Sequence, residues 1–84
     1  MEYQIDCLTI NDSKGFHRIL AETLALPEWY GHNLDALYDC LTELDGPVHL
    51  VLHNWDDSRP FSEGFRGVFL DAQEDNPDFS VIFQ

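Results

Sequence analysis

Apolar and polar residues alternate, or apolar residues run together, in three short stretches that we predict to be β-strands. Tyr3, Ile5 and Cys7 alternate with acidic and amide residues, which predicts a first strand with one buried face. The near-continuous apolar run from Val48 to Leu52, rich in valine and leucine, predicts a second strand that is buried on both faces. The third strand is predicted over a set of apolar residues further along the chain: Phe79, Val81, Ile82 and Phe83.

Three other stretches carry apolar residues at the three- and four-residue spacing of an amphipathic helix. The first follows a cap at Asp12 or Ser13, and its apolar residues are Phe16, Ile19, Leu20 and Leu24. The second follows a cap at Asn33, and its stripe is Leu34, Leu37, Leu41 and Leu44. The third follows a cap at Ser62, and its apolar residues are Phe61, Phe65, Val68, Phe69 and Ala72. Proline-containing turns separate these elements.

The predicted order is strand, helix, helix, strand, helix, strand. Strands connected through helices pair in parallel, so we predict an α/β fold with a three-stranded parallel sheet and three main helices. The helices are expected to cover one face of that sheet, and the sequence leaves open whether the other face is exposed or covered by a loop. With 84 residues, the chain is expected to form a single domain over residues 1–84.

The charge of the chain narrows the classes of partner. Sixteen acidic residues against four Lys and Arg give a net charge of −12, which repels nucleic acid and anionic membranes and attracts a basic protein. The sequence has no signal-peptide pattern and no apolar run of membrane-spanning length, so we expect a cytoplasmic protein. Cys7 and Cys40 lie in apolar patterns without metal-ligand spacing. We therefore expect two buried free thiols, and no metal or cofactor.

One face of the second predicted helix carries the most informative polar residues. Asp35, Tyr38, Asp39 and Thr42 share an outward face opposite the leucine stripe. Asp35 lies in the first helical turn, where the helix dipole favours an anion. Asp39 lies in mid-helix, where aspartate has a poor helix propensity and is repelled by Asp35 one turn away. A solvated face is one interpretation of this pattern, and a surface kept for binding is the other.

Aromatic residues precede this helix. Trp29 and Tyr30 are adjacent, so we expect at least one of them to pack in the core while the other is free to contact a partner. Gly31 permits either a close backbone approach or a positive φ angle. His32 and Asp35 raise the alternative of an acid–base pair, although no nucleophile accompanies them and we predict no enzymatic activity. Of the remaining histidines, His17 is expected at the surface.

The segment from Leu24 to Thr42, LALPEWYGHNLDALYDCLT, resembles the signature segment of the barstar family. The resemblance implies a barstar-like α/β fold and an intracellular inhibitor of secreted, guanyl-preferring microbial ribonucleases such as barnase, acting in a 1:1 complex with that basic enzyme. It implies that the second helix and the loop before it enter the enzyme's active site, with Asp39 in the place of a substrate phosphate. The partner-binding residues that it implies are Trp29, Tyr30, Gly31, Asn33, Leu34, Asp35, Tyr38, Asp39, Thr42 and Asp71.

The sequence departs from that family at several positions. Trp29 and Tyr38 replace other aromatic residues, and His32 replaces an acid. The loop from Glu43 to Pro47 is shorter and lacks an aromatic residue, and the stretch from Asn54 to Phe61 is abbreviated. These differences keep a second hypothesis open, in which the chain is a barstar-like interaction or immunity module whose partner is not a ribonuclease.

Overall fold

A computed structural model describes residues 1–84, and its secondary structure follows the predicted order. The strands are β1 (Glu2–Asp6), β2 (Val48–His53) and β3 (Phe79–Phe83). The helices are α1 (Ser13–Thr23), α2 (Leu34–Thr42) and α3 (Ser62–Asp75), and a short 3₁₀ turn over Cys7–Thr9 follows β1. None of these helices has the length and apolarity to cross a membrane.

The three strands form one parallel sheet in the order β1-β2-β3, which confirms the predicted fold class. In its register Ile5 lies opposite Leu52, and Leu50 lies opposite Val81. Because side chains alternate across a strand, these residues share one face of the sheet. The central strand supplies Leu50 and Leu52, which are both 0% exposed, and the buried residues of all three helices join the same apolar cluster.

The other face of the sheet carries no helix. Val51 is buried there without belonging to the main apolar cluster, and its neighbours on the adjacent strands are Gln4 and Ile82. The residues around it are largely polar, and their side chains pair with each other: His49 with Ser80 at 2.7 Å, and His53 with Gln4 at 2.8 Å. The sequence left the covering of this face undecided, and the structure shows an open polar face with an apolar centre. The prediction that β2 is buried on both faces therefore holds at Val51 but not at His49, which is only half-buried.

The helix boundaries test the predicted caps. Asp12 caps α1 by accepting a hydrogen bond from the Gly15 N–H at 2.7 Å, which decides between the two predicted capping residues. The predicted cap at Ser62 is wrong. Ser62 is the first residue of α3, and its hydroxyl donates to the Asp56 carbonyl oxygen at 2.6 Å, so it fastens the preceding loop instead.

Two further predictions concern the apolar residues around α2. The helix ends at Thr42, so Leu44 lies beyond it. The prediction that Leu44 belongs to the helical stripe is therefore wrong. Cys7 and Cys40 are both buried free thiols, as predicted. Burial raises the pKa of the Cys7 thiol to about 11, which keeps it protonated and unreactive at neutral pH.

Candidate functional site

Helix α2 separates an apolar face from an acidic face. Asn33 caps its start by accepting a hydrogen bond from the Ala36 N–H at 2.8 Å, as predicted. Leu37 and Leu41 are 0% exposed and hold the helix against the core. Asp35 and Asp39 lie on the other side and are exposed. The core contacts of the leucines therefore fix a helix whose carboxylates point into solvent.

The carboxylates of this face have no cationic partner within the protein. The structure contains one salt bridge, between Arg66 and Asp57 at 3.3 Å, and neither Asp35 nor Asp39 takes part in it. No hydrogen bond within the protein reaches the carboxylate of Asp35 or of Asp39. Two like charges one helical turn apart repel each other, so this face is electrostatically unfavourable in the free protein.

Helix α3 adds acids to the same surface. The Tyr38 hydroxyl donates a hydrogen bond to the Asp75 carboxylate, which joins α2 to the last turn of α3. That hydrogen bond raises the pKa of Tyr38, and desolvation and the negative charges of Asp75, Asp71 and Asp39 raise it further. Asp71, predicted as an outlying partner-binding acid, is exposed and lies close enough to act on Tyr38. The acidic surface thus spans α2 and α3.

Tyr38 and Thr42 flank Asp39 and are half-buried. The Thr42 hydroxyl donates back to the carbonyl oxygens of Tyr38 at 3.0 Å and Asp39 at 3.1 Å. Its hydrogen is therefore used within the last turn of α2, and its methyl group is what it offers to a neighbour. We define the acidic surface as Asp35, Tyr38, Asp39, Thr42, Asp71 and Asp75.

The loop before α2 exposes one of its two adjacent aromatic residues and buries the other, as predicted. Trp29 is 66% exposed, whereas Tyr30 is only 5% exposed. The Tyr30 hydroxyl forms a hydrogen bond with Nδ1 of His17, and burial raises the pKa of Tyr30 far above its ordinary value. Tyr30, one of the ten predicted partner-binding residues, thus faces the core. Its place in the fold anchors the loop that presents Trp29.

His17 lies in the core, so the prediction that it is a surface residue is wrong. It is 5% exposed, and its ring centroid lies 4.8 Å from that of Phe65. Burial lowers its pKa, and the nearby His32 lowers it further. Its spacing from Leu20 and Leu24 places it on the apolar stripe of α1, which is the signal that sequence reasoning passed over. The Tyr30 hydroxyl supplies the partner that a buried imidazole needs.

The backbone around residues 31–34 places the start of α2. The positive φ angle occurs at His32 (51°) and not at Gly31. At Gly31 the constraint is space, because a Cβ atom there would lie 3.0 Å from Nδ2 of Asn33. Leu34 is half-buried against α3, where a Cβ on Gly64 would approach its Cδ1 to 2.8 Å. This contact packs the first turn of α2 closely against the first turn of α3.

The alternative acid–base pair finds little support in this geometry. No hydrogen bond joins His32 to Asp35, and the His32 ring lies among aromatic neighbours instead, 5.0 Å from Tyr30 between ring centroids. Sequence reasoning also missed Asp75, which the hydrogen bond from Tyr38 brings into the acidic surface. Its i, i+4 spacing from Asp71 on α3 is the signal that links the two residues.

Comparisons with known proteins identify the family to which this fold is similar. The family model described as Barstar (barnase inhibitor) matches residues 1–84. A protein of Bacillus subtilis (strain 168) named "Putative ribonuclease inhibitor YrdF" is 37% identical over 86 residues, an alignment that covers 95% of this chain and 94% of that protein. Both similarities extend over nearly the whole chain.

Proposed function

Because this chain belongs to the barstar family, we propose that it inhibits a ribonuclease, specifically a secreted guanyl-preferring enzyme of the barnase type. In this proposal it acts inside the producing cell and forms a 1:1 complex with the basic enzyme. The complex blocks the active site and involves no reaction. The family description and the name of the Bacillus subtilis relative both support an inhibitor rather than an enzyme.

The observation that carries the proposal is a set of exposed carboxylates without cations, next to an exposed tryptophan. Asp35, Asp39 and Asp71 are all exposed and belong to no salt bridge, and Trp29 is 66% exposed. A ribonuclease binds the phosphates of RNA with a cluster of cationic side chains. Carboxylates on a rigid helix match such a cluster, and a neighbouring aromatic residue adds contact area with little loss of side-chain entropy.

Asp39 is the central anion of the proposed interface. Its exposed carboxylate lies in mid-helix, between Asp35 one turn earlier and the acids of α3, so it would face a cationic pocket directly. There it would accept charge-assisted hydrogen bonds from arginine, lysine or histidine side chains in place of a phosphate oxygen. Asp35 and Asp71 would contact cations at its sides. The net charge of −12 would accelerate encounter with a basic enzyme.

The other residues have supporting parts in this proposal. Trp29 would stack against an enzyme side chain, and Tyr38 and Thr42 would pack around Asp39. Gly31, Asn33 and Leu34 would supply backbone and edge contacts at the start of α2, where the exposed loop allows close approach. Tyr30 would act from within the core, by holding the loop against His17.

The experiment that tests the proposal is a titration of RNA cleavage by barnase and related guanyl-preferring ribonucleases with the purified protein, at low and at physiological salt. We expect activity to fall to zero at one equivalent for the cognate enzyme, and the inhibition to weaken as salt rises because exposed charges are screened. An enzyme panel that keeps full activity at a large excess of the protein would contradict the proposal.

A second candidate function has one observation in its favour. His32 stands where the family has an acid, and Trp29 and Tyr38 differ from the usual aromatics, so the edge of the acidic surface is altered. Such changes would suit an immunity or interaction module for a basic protein that is not a ribonuclease. A pull-down with the wild-type protein and with Asp39→Asn, followed by mass spectrometry, separates the two functions through the identity of the protein that only the wild type retains.

A further inference from the structure

A groove lies between the segment that follows α1 and the end of α2, and the exposed Trp29 is part of its lining. Its volume is about 240 Å³. Apolar side chains line most of it, two exposed acids stand at its edge, and its lining includes Leu26, Trp29, Cys40, Glu43, Leu44 and Asp45. We call it the Trp29 groove. It is open to solvent, since Trp29 is 66% exposed and Glu43 and Asp45 are exposed as well.

The electrostatics of the Trp29 groove are uncompensated. Glu43 is the C-cap residue of α2, and the last turn of α2 contains no basic residue. The C-terminal end of a helix carries partial negative charge, so an acid at that position is unfavourable and a cation would be favourable. Neither Glu43 nor Asp45 forms a salt bridge. Their negative charge therefore adds to that of the helix end with nothing in this chain to neutralise it.

The floor of the groove is apolar and neutral. Cys40 is 4% exposed, and burial raises the pKa of its thiol, with the charges of Glu43 and Asp39 raising it further. A neutral thiol beside leucine side chains offers dispersion contact rather than charge. An occupant that fits must therefore combine an apolar stem for the floor with a positive head for the acidic edge.

We propose that the Trp29 groove receives an arginine or lysine side chain of the partner protein, as a second cation-binding point beside the acidic surface. The methylene groups of that side chain would lie against Leu26 and Leu44, and its charged group would meet Trp29 and the carboxylates of Glu43 and Asp45. This inference rests on the proposed function, because a basic protein partner is what would bring such a side chain to α2.

The arginine head is the better match of the two. A guanidinium stacks on an aromatic ring and forms parallel hydrogen bonds with a carboxylate, whereas an ammonium acts as a point charge. In the proposed complex, Trp29 would contact the partner twice. One contact is with the partner surface that covers α2, and the other is with the partner side chain that enters the groove. That double contact gives a physical reason for an indole in place of a smaller aromatic ring at this position.

The test uses the free protein and small probes. ¹⁵N-labelled protein is titrated with N-acetyl-argininamide and, separately, with N-acetyl-citrullinamide, which has the same shape without the charge. We expect the arginine probe to shift the NMR signals of the Trp29 indole N–H and of the amides of residues 43–45. The citrulline probe should bind at least about five-fold more weakly than the arginine probe. The double variant Glu43→Gln/Asp45→Asn should reduce arginine binding by a similar factor, and the matched control Glu2→Gln/Asp78→Asn should not.

Equal shifts from both probes, or equal binding by the two double variants, would overturn the inference. These outcomes do not depend on whether any ribonuclease is inhibited, so the groove and the proposed function fail separately. If a cognate ribonuclease is found, Glu43→Gln/Asp45→Asn should raise its inhibition constant about ten-fold over that of the control variant. Unchanged inhibition by this variant would show that the partner leaves the groove empty and would also overturn the inference.

Discussion

Replacing Asp39 with alanine should stabilise the free protein, because the structure gives this carboxylate a cost and no compensating contact. Alanine exceeds aspartate in helix propensity by up to about 0.7 kcal/mol. Removing the repulsion from Asp35 one turn away adds about 0.2–0.5 kcal/mol. Asp39 has no salt bridge, so nothing is lost in return. The expected gain in the free energy of unfolding is therefore about 1 kcal/mol.

Urea denaturation followed by far-UV circular dichroism measures this gain. We expect the urea midpoint to rise while the m-value stays the same, since the substitution hardly changes the surface that becomes exposed on unfolding. In thermal unfolding the same gain corresponds to about 4–8 °C for a domain of this size. Asp35→Asn tests the repulsive part separately. It removes the partner charge and keeps Asp39, so the further gain from Asp39→Ala in that background should be smaller.

A loss of stability in Asp39→Ala would refute this reasoning. It would mean that the carboxylate makes a favourable contact within the free protein, so that its position in mid-helix has a structural explanation. Under the proposed function, the same substitution gains stability while it loses affinity for the partner. That opposition is expected of a residue kept for binding at the expense of the fold.

Three further predictions concern the core and the backbone. The pKa of His17 is lowered in the fold, so below about pH 6.5 the unfolded chain binds a proton at this residue that the native protein does not bind. The urea midpoint should therefore decrease as the pH is lowered from 8 to 5. His17→Asn, which keeps an acceptor for the Tyr30 hydroxyl, should reduce that fall, and an unchanged pH profile would contradict it. Leu37→Ala should cost about 2–5 kcal/mol of unfolding free energy, because its side chain is 0% exposed, and a loss below 1 kcal/mol would be inconsistent with that packing. Gly67→Ala, at an exposed position in α3, should raise the free energy of unfolding by up to about 1 kcal/mol, because alanine has the higher helix propensity. Gly46→Ala should lower it by about 1 kcal/mol, because the backbone there has a φ of +81°. Equal effects of the two substitutions would contradict these two backbone conformations.

The sequence was sufficient for features that depend on neighbouring residues. The alternation in β1, the leucine spacing of α2 and the cap at Asn33 are local patterns, and each predicted element occurs in the structure. The separation of Trp29 from Tyr30 followed from the geometry of adjacent side chains. The acidic face of α2 could likewise be predicted from helical periodicity alone.

Features that depend on distant residues were not predictable in this way. The spacing of His17 places it on the apolar stripe of α1, but its hydrogen-bond partner, the Tyr30 hydroxyl thirteen residues later, is brought to it by tertiary packing. Asp75 joins the acidic surface through Tyr38, which requires the packing of α3 against α2. The Ser62 hydroxyl donates its hydrogen bond to the Asp56 carbonyl oxygen and does not cap the helix, because the preceding loop passes close to it. The His17–Tyr30 and Tyr38–Asp75 pairs join residues far apart in the chain, and the Ser62–Asp56 bond depends on the path of a loop, so local periodicity does not identify these partners.

The measurement that tests the central claim most directly compares the affinities of Asp39→Asn and Glu2→Gln for the inhibited ribonuclease, by inhibition titration at physiological salt. Both substitutions remove one negative charge, and Glu2 lies on the sheet face away from the helices. Glu2→Gln should therefore change only long-range attraction, by less than about three-fold. Asp39→Asn should weaken binding at least about 30-fold, which corresponds to about 2 kcal/mol. This value is at the lower end of the general range for the loss of one partner of a close interfacial charge pair, a range that includes measurements on the barnase–barstar complex itself. Equal affinities of the two variants would contradict the claim that α2 presents Asp39 to the enzyme.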